Sequence, residues 1–330
     1  MSVDFDHQPV TVLITAYNAK NTIERAVRSA LASPLVGRVI VVNDASTDET
    51  TTVARRQDDG SGRLLVTEQA LNKGPAAGRN TALGFARSPF VALLDADDYF
   101  LPGRFEKLLE HDDWDIVADN ILFTDSPDGV AEAPAGSGKM RPLGVEEFVL
   151  RNISQPGKPR GELGFLKPVI RRQFLVDTGL LYDENLRLGE DFILYVRALL
   201  AGARFKLCDH CGYVAVERSD SLSSRHRTED LEHLLVAASA VSAALPFGSE
   251  RSALRTYNRA LEVKTRHRRL LDDKSQRGVI RSVGRALLAP SYVVPIAKAI
   301  YADKQMARLD PQPRPLSRML FATDDFRNPA

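Results

Sequence analysis

The stretch Val91-Ala92-Leu93-Leu94-Asp95-Ala96-Asp97-Asp98 ends an apolar run in three carboxylates. Phe90 to Leu94 suits a strand covered on both faces. Asp95, Asp97 and Asp98 at its carboxyl end repel one another and stay ionised together most easily around a divalent cation. Their oxygen ligands suit Mg²⁺ or Mn²⁺. A second acidic pair, Glu190-Asp191, opens an apolar helical run. The helix dipole stabilises acids there, and a carboxylate so placed is a candidate general base. Other apolar segments also end in polar residues: Thr15 with Tyr17, Asp44, and Glu68. Tyr17 could stack on a nucleobase, and Asp44 could accept a ring N–H of the kind uracil carries. Lys73 and Arg79 could meet phosphate or a base edge. Each has a plain structural alternative: capping for Asp98, Glu190 and Asp191, a turn for Asp44, a solvated surface charge for Lys73 and Arg79.

The elements that must position these residues follow a regular rhythm. Val10 to Thr15 reads as a strand and Asn18 to Ala32 as a helix with Ile23, Val27, Ala30 and Leu31 on one face. Strands are expected at Arg38–Asn43, Arg63–Thr67 and 90–94. Helices are expected from a Ser46/Glu49 capping box to about Gln57, and over Ala76–Arg87. This alternation predicts an α/β fold, a mostly parallel sheet with helices on both faces. Ligands bind at the carboxyl edge of such a sheet, where the polar residues gather. Further on, Pro102 should open a helix. A strand is expected over Asp115–Phe123, a loop over Thr124–Pro142, and a short helix near Arg171–Asp177. A helix is expected from Glu190 through Leu200, and one or two strands over Ala203–Glu217. Beyond Thr228 the chain reads as helical and basic.

Composition is that of a soluble globular protein: 330 residues, 44% hydrophobic and 26% charged, with a net charge of +1. The balance excludes a generic polyanion binder, and no nucleic-acid partner is expected. Residues 251–310 nevertheless hold 14 Lys/Arg against 5 Asp/Glu. Arg277, Arg281 and Arg285 recur every four residues and line one helical face. Val279, Ile280, Val283 and Leu287 lie mainly on another part of it, and Ser291–Ile300 adds a further apolar piece. That pattern fits either a helix packed on the catalytic domain or an interfacial element on anionic lipid. No run approaches ~20 apolar residues, so no spanning helix is expected, and the N-terminus shows no secretory signal. Cys208-Asp209-His210-Cys211 holds the only two cysteines. They give no disulfide framework and fit a reducing compartment, and a zinc site would need a second ligand pair that is not evident.

The residues in order are Thr-Ala-Tyr-Asn (15–18), Val-Val-Asn-Asp-Ala-Ser-Thr-Asp (41–48), Asn-Lys-Gly-Pro-Ala-Ala-Gly-Arg-Asn (72–80), Leu-Asp-Ala-Asp-Asp (94–98) and Gly-Glu-Asp-Phe (189–192). This set resembles the family 2 glycosyltransferases of GT-A fold over roughly residues 8–220. Within the family it looks closest to bacterial exopolysaccharide glucosyltransferases of the succinoglycan type. The resemblance implies a metal-dependent inverting transfer of a sugar, glucose by preference, from a UDP-sugar to a growing, lipid-linked saccharide. It implies that Thr15, Tyr17 and Asp44 hold the nucleoside, that Asp95 lies near the ribose and that Asp97 sits at the metal, Mn²⁺ or Mg²⁺. Asp98 is an alternative for either role. Asp191 becomes the catalytic base, with Glu190 beside it. Many members carry Pro before the Tyr-Asn segment, where Ile14-Thr15-Ala16 stands here. Ser221, Ser223, Arg225 and His226 fall where the family often places a phosphate-closing segment. The implied organisation is a catalytic domain over 1–225, with a nucleotide-sugar half at about 8–124 and an acceptor half at about 145–225, followed by a basic helical extension over 226–330. The implied place is the cytoplasm, at the inner face of the membrane. Other readings use the same crevice. An NAD-binding protein would need Gly-x-Gly-x-x-Gly after the first strand, which is missing. A sugar nucleotidyltransferase would carry a Gly-rich, Arg-containing loop there. A non-catalytic sugar-nucleotide-binding or assembly protein would be expected to lose Asp97 or Asp191.

Overall fold

The computed structural model describes residues 8–126, 130, 136–154, 161–217, 227–277, 317–322 and 326. In chain order the first elements are β1 (Val10–Ala16), α1 (Ile23–Leu31), β2 (Val36–Asn43), α2 (Thr50–Arg55), β3 (Leu64–Glu68), α3 (Pro75–Phe85) and β4 (Phe90–Asp95). Then come β5 (Tyr99–Phe100), α4 (Arg104–Leu108), β6 (Ile116–Thr124), β7 (Met140–Pro142), α5 (Val145–Leu150), β8 (Val169–Arg171) and α6 (Arg172–Thr178). The last are α7 (Glu190–Leu200), β9 (Phe205–Val216), α8 (Thr228–Ala244), α9 (Ser249–Arg277) and β10 (Ser317–Met319).

The strands form one sheet in the order β3-β2-β1-β4-β8-β6-β9-β5, with β10 beside β6 and β7 beside β9. β3, β2, β1 and β4 run parallel. β8 is antiparallel to both β4 and β6, and β6 is parallel to β9, so six strands share one direction. The sequence explains the parallel half. Val12, Leu13 and Ile14 of β1, Val39–Val42 of β2 and Val91–Leu94 of β4 are all buried, as continuous β-branched and aliphatic runs require when helices cover both faces. Register then aligns the polar ends: Thr15 pairs with Asp95 and with Val42, Ala16 with Asn43, and Asn43 with Glu68.

Several local expectations are corrected. The Ser46/Glu49 capping box does not form. The Thr50 N–H donates to Asp48 Oδ1 at 3.0 Å, and Ser46 Oγ accepts the Asn18 N–H at 2.9 Å, so that loop clasps the one after β1 instead. Pro102 does not open α4, which begins at Arg104 after Gly103. Within the stretch expected as a loop, Met140–Pro142 pairs with β9 as a strand.

The chain divides into two compact units. One comprises the described residues of Met1–Gly144, Phe165–Ser219 and Leu316–Ala330, and holds the whole sheet. The other comprises those of Val145–Gly164 and Asp220–Pro315, and is helical. This differs from a boundary at 225 in two places. The described residues of 145–164 join the helices because α5 buries Val145, Phe148 and Val149 and packs against α9. The chain returns to the sheet through β10, because Ser317, Arg318 and Met319 pair with Thr124, Phe123 and Leu122. In the helical unit α8 and α9 pack through Leu231, Leu234, Ala238, Leu254, Tyr257 and Leu261. The segments 221–226 and 278–300, including Ser221, Ser223, Arg225, His226, Arg281 and Arg285, lie outside the described residues.

Candidate active site

The site lies in the sheet unit, at the carboxyl ends of β1, β2 and β4. Its centre is Arg79, on the second turn of α3. Its guanidinium bonds Asp95 Oδ1 at 3.0 Å, Glu190 Oε1 at 2.7 Å and Asp191 Oδ1 at 2.9 Å. It also lies over the ring of Tyr182. Residues up to 112 positions from Arg79 along the chain thus meet on its side chain. Lys167, just before β8, reaches the same group: its ammonium is 3.0 Å from Asp95 Oδ2 and 2.9 Å from Asp191 Oδ2.

Local structure explains the placement of the acids. Gly189 has φ 73°, a left-handed conformation that a residue with a Cβ adopts at a cost. It turns the chain so that α7 begins with Glu190 and Asp191, whose charge the first turn favours. Asp95 ends β4 at the point where Thr15 ends its pairing.

The charges hold one another. Burial works against the ionised Arg79 and Lys167, but Asp191 and its neighbouring carboxylates outweigh it and keep both protonated well above neutral pH. Burial pushes the Asp95 carboxyl up, yet Lys167 and Arg79 bring it down to about 2. Glu190 moves the other way: burial, then repulsion from Asp191, raises its carboxyl above its ordinary value.

The other candidate residues divide. Asp44 is buried, and its two oxygens accept the backbone N–H groups of Lys73 and Gly74, each at 2.8 Å. It therefore shapes the loop that leads into α3. Lys73 is exposed, and Tyr17 is 46% exposed. Thr15 lies against α3 at Gly78. Glu68 is drawn aside to Arg55 at 3.0 Å. Asp97 is half-buried, and its carbonyl accepts from Arg25 at 2.9 Å. Asp98 is buried and accepts from the Tyr213 hydroxyl at 2.7 Å and the Val216 N–H at 2.9 Å. Burial, with Asp97 and Asp95 nearby, pushes its carboxyl well above the ordinary range. Asp98 therefore braces the turn: Tyr213, bonded to it, also accepts the Asp95 N–H at 3.1 Å.

Among the described residues no three His, Cys, Asp or Glu side chains gather as a ready-made metal cage. The donor set still fits Mg²⁺ or Mn²⁺ held against a substrate, which needs only one or two carboxylates together with phosphate oxygens. Cys208 and Cys211 are buried within β9, where burial pushes both thiols up to about 12, as suits core residues.

Sequence reasoning missed Lys167, Tyr182 and Tyr213. None stands in a motif that names its role, and a lysine beside a proline in an irregular stretch reads as surface. It also missed the buried pair of Arg104 and Asp119, 2.8 Å apart. An acid inside a mostly apolar strand, as Asp119 is in β6, was the one available signal.

The profile of the family described as Glycosyl transferase family 2 matches residues 11–170. The chain is 45% identical over 326 residues to the succinoglycan biosynthesis protein ExoU of Rhizobium meliloti (strain 1021), covering 96% of this chain and 94% of that protein. Among solved structures it resembles S. aureus TarS 1–349 in complex with UDP-GlcNAc, with TM-score 0.57 and 19% identity, over 81% of this chain and 74% of that one. It also resembles the mannosyltransferase PcManGT of Pyrobaculum calidifontis in complex with GDP-Man and Mn²⁺, with TM-score 0.54 and 19% identity, over 93% and 83% of the two chains.

Proposed function

The chain belongs to glycosyl transferase family 2 and is a glycosyltransferase of GT-A fold, and from that premise we propose an inverting transfer from a UDP-sugar, glucose by preference, onto a growing exopolysaccharide oligosaccharide. The observation that carries the reading is the meeting of Asp95, Glu190 and Asp191 on Arg79. It joins the sheet edge, where a nucleotide would lie, to a helix that begins with a candidate base.

In this reading Tyr17 stacks on the base and Thr15 and Asp95 approach the nucleoside. Lys73 stands where it can meet phosphate. Asp191 accepts the proton of the acceptor hydroxyl as that oxygen bonds to the anomeric carbon. The bond from that carbon to the diphosphate breaks on the opposite face, the electron pair leaves with UDP, and the anomeric centre inverts. A divalent cation at Asp97 would neutralise charge on the departing diphosphate. Arg79 and Lys167 keep Asp191 and Asp95 fixed while this happens.

The nature of the acceptor is drawn from kinship: the R. meliloti relative is named for succinoglycan biosynthesis. A lipid-linked acceptor, met at the cytoplasmic face of the membrane, suits the basic residues of 251–310. UDP as carrier and Mn²⁺ as metal draw support from the complexes of the two structural neighbours.

The test is a panel of UDP-sugars with Mn²⁺ or Mg²⁺, read by UDP release. UDP-glucose should be the preferred donor, and chelator should stop the release. Asp191→Asn should lower the rate by at least ~10²-fold, a typical general-base contribution, while UDP still binds. Undiminished release in chelator would remove the metal from the reaction. Release from no UDP-sugar would overturn the reading.

A further inference from the structure

Arg79 and Lys167 together hold all four carboxylate oxygens of Asp95 and Asp191. Arg79 takes both Oδ1 atoms, at 3.0 and 2.9 Å, and Lys167 takes both Oδ2 atoms, at 3.0 and 2.9 Å. Two cations and two carboxylates alternate round a closed ring. A carboxylate gripped through one oxygen can still turn about its terminal torsion, which has a broad minimum. Gripped through both oxygens, it cannot.

We propose that Lys167 is a positioning residue which, with Arg79, fixes the distance and orientation between the donor-side carboxylate Asp95 and the base Asp191. This rests on the reading of Asp191 as the base.

The backbone around Lys167 is built for such a task. Three successive carbonyls are each tied down. Leu166 O accepts from the Tyr195 hydroxyl at 3.1 Å, Lys167 O from Arg104 at 2.5 Å, and Pro168 O from the Leu93 N–H at 3.4 Å. Arg104 is itself 1% exposed and bidentate on Asp119, which also accepts the Gly212 N–H at 2.8 Å. The ammonium therefore projects from a fixed point. Stability is a weak reason for burying it, because an apolar residue of similar volume avoids the desolvation cost. Geometry is the better reason. A displacement of about an ångström in a reacting group costs roughly 10²-fold in rate, and the second bond from Lys167 opposes such a displacement of Asp191.

The experiment measures kcat and KM for UDP release from UDP-glucose, and UDP affinity by calorimetry, for wild type, Lys167→Met and Lys167→Arg. Methionine keeps the length and loses both bonds. Lys167→Met should lose ~10- to 10²-fold in kcat, with UDP affinity unchanged. Lys167→Arg keeps the charge but replaces a point donor with a wider fork, so its kcat should fall between the two. A wild-type kcat in Lys167→Met overturns the proposal. So does a UDP affinity that falls in step with kcat, which would make Lys167 a donor-binding residue. So does a Lys167→Arg rate no better than that of Lys167→Met. Should Lys167→Met not fold, Lys167→Arg decides: a reduced kcat with wild-type UDP affinity supports the proposal, and a full kcat or a matching loss of affinity ends it. If wild type releases no UDP, the functional reading itself has failed and the proposal falls with it. Release by wild type that is indifferent to position 167 fails the proposal alone.

Discussion

The chemistry of this molecule depends on which carboxylates can keep a charge. Asp95, Asp98 and Glu190 stand close together, and their surroundings separate them. Asp95 is held ionised by two cations, whereas burial favours the protonated forms of Asp98 and Glu190. For Asp95 the consequence is a pH dependence. Its carboxyl sits at about 2 in the folded chain, below the ordinary value near 4. A depressed carboxylate contributes stability that is fully present above the unfolded value and is lost as pH falls through the folded one. In chelator, wild type should therefore exceed Asp95→Asn in unfolding free energy at pH 5. The gap should close between about pH 4 and pH 2. Because the Asp95 side chain keeps 33% exposure, solvent screening makes the gap smaller than burial alone would suggest. A gap that stays constant over that range would show that Lys167 and Arg79 do not hold the Asp95 proton off.

At the scale of elements, the site exists because α3 lies close against β1 and β2. A Cβ built on Gly78 would come 2.7 Å from Thr15 Cγ2, so only glycine lets the helix approach this far. Arg79 follows directly and inherits that depth. Alanine normally favours a helix over glycine, but here the added methyl overpacks, at a cost of roughly 1–3 kcal/mol. Gly78→Ala should lower the thermal midpoint, and adding Thr15→Ser, which removes the opposing methyl, should restore much of it. The two residues touch, so the effects should be non-additive. A Gly78→Ala protein as stable as wild type would mean that α3 can retreat, and that the depth of Arg79 is not set by this contact.

The chain comprises a sheet unit, which carries Asp95, Asp97, Glu190 and Asp191, and a helical unit. No helix among the described residues is long and apolar enough to cross a membrane. If the acceptor is carried on a lipid, the excess of Lys and Arg over 251–310 is what the sequence offers for meeting an anionic surface. Full-length protein should sediment with anionic vesicles at low salt and be released as salt rises. A folded variant carrying Arg277→Glu, Arg281→Glu and Arg285→Glu should stay in the supernatant. Wild type that remains in solution at low salt would refute the membrane reading while leaving the sheet-edge chemistry intact.

The parallel half of the sheet was legible in the sequence because its signals are local. Apolar runs such as Val10–Ile14 and Val91–Leu94 must be buried on both faces, and the acids that end them must gather at one edge. Asp95, Glu190 and Asp191 could be named from their positions at a strand end and a helix start. Their partners could not. Arg79 read as a group for phosphate or a base edge, or as a surface charge, because no local pattern says what lies 111 residues further on. Lys167 had no motif, and only the meeting of β4, α7 and the segment before β8 gave it two carboxylates to hold. Asp98 was grouped with its neighbours by spacing, yet Tyr213 and Val216 in β9 claim both of its oxygens. Spacing along the chain determined which groups reach the edge. Long-range packing decided which of them are ionised, which are spent on the fold, and which stand opposite one another, because charge and hydrogen bonding act through space rather than along the sequence.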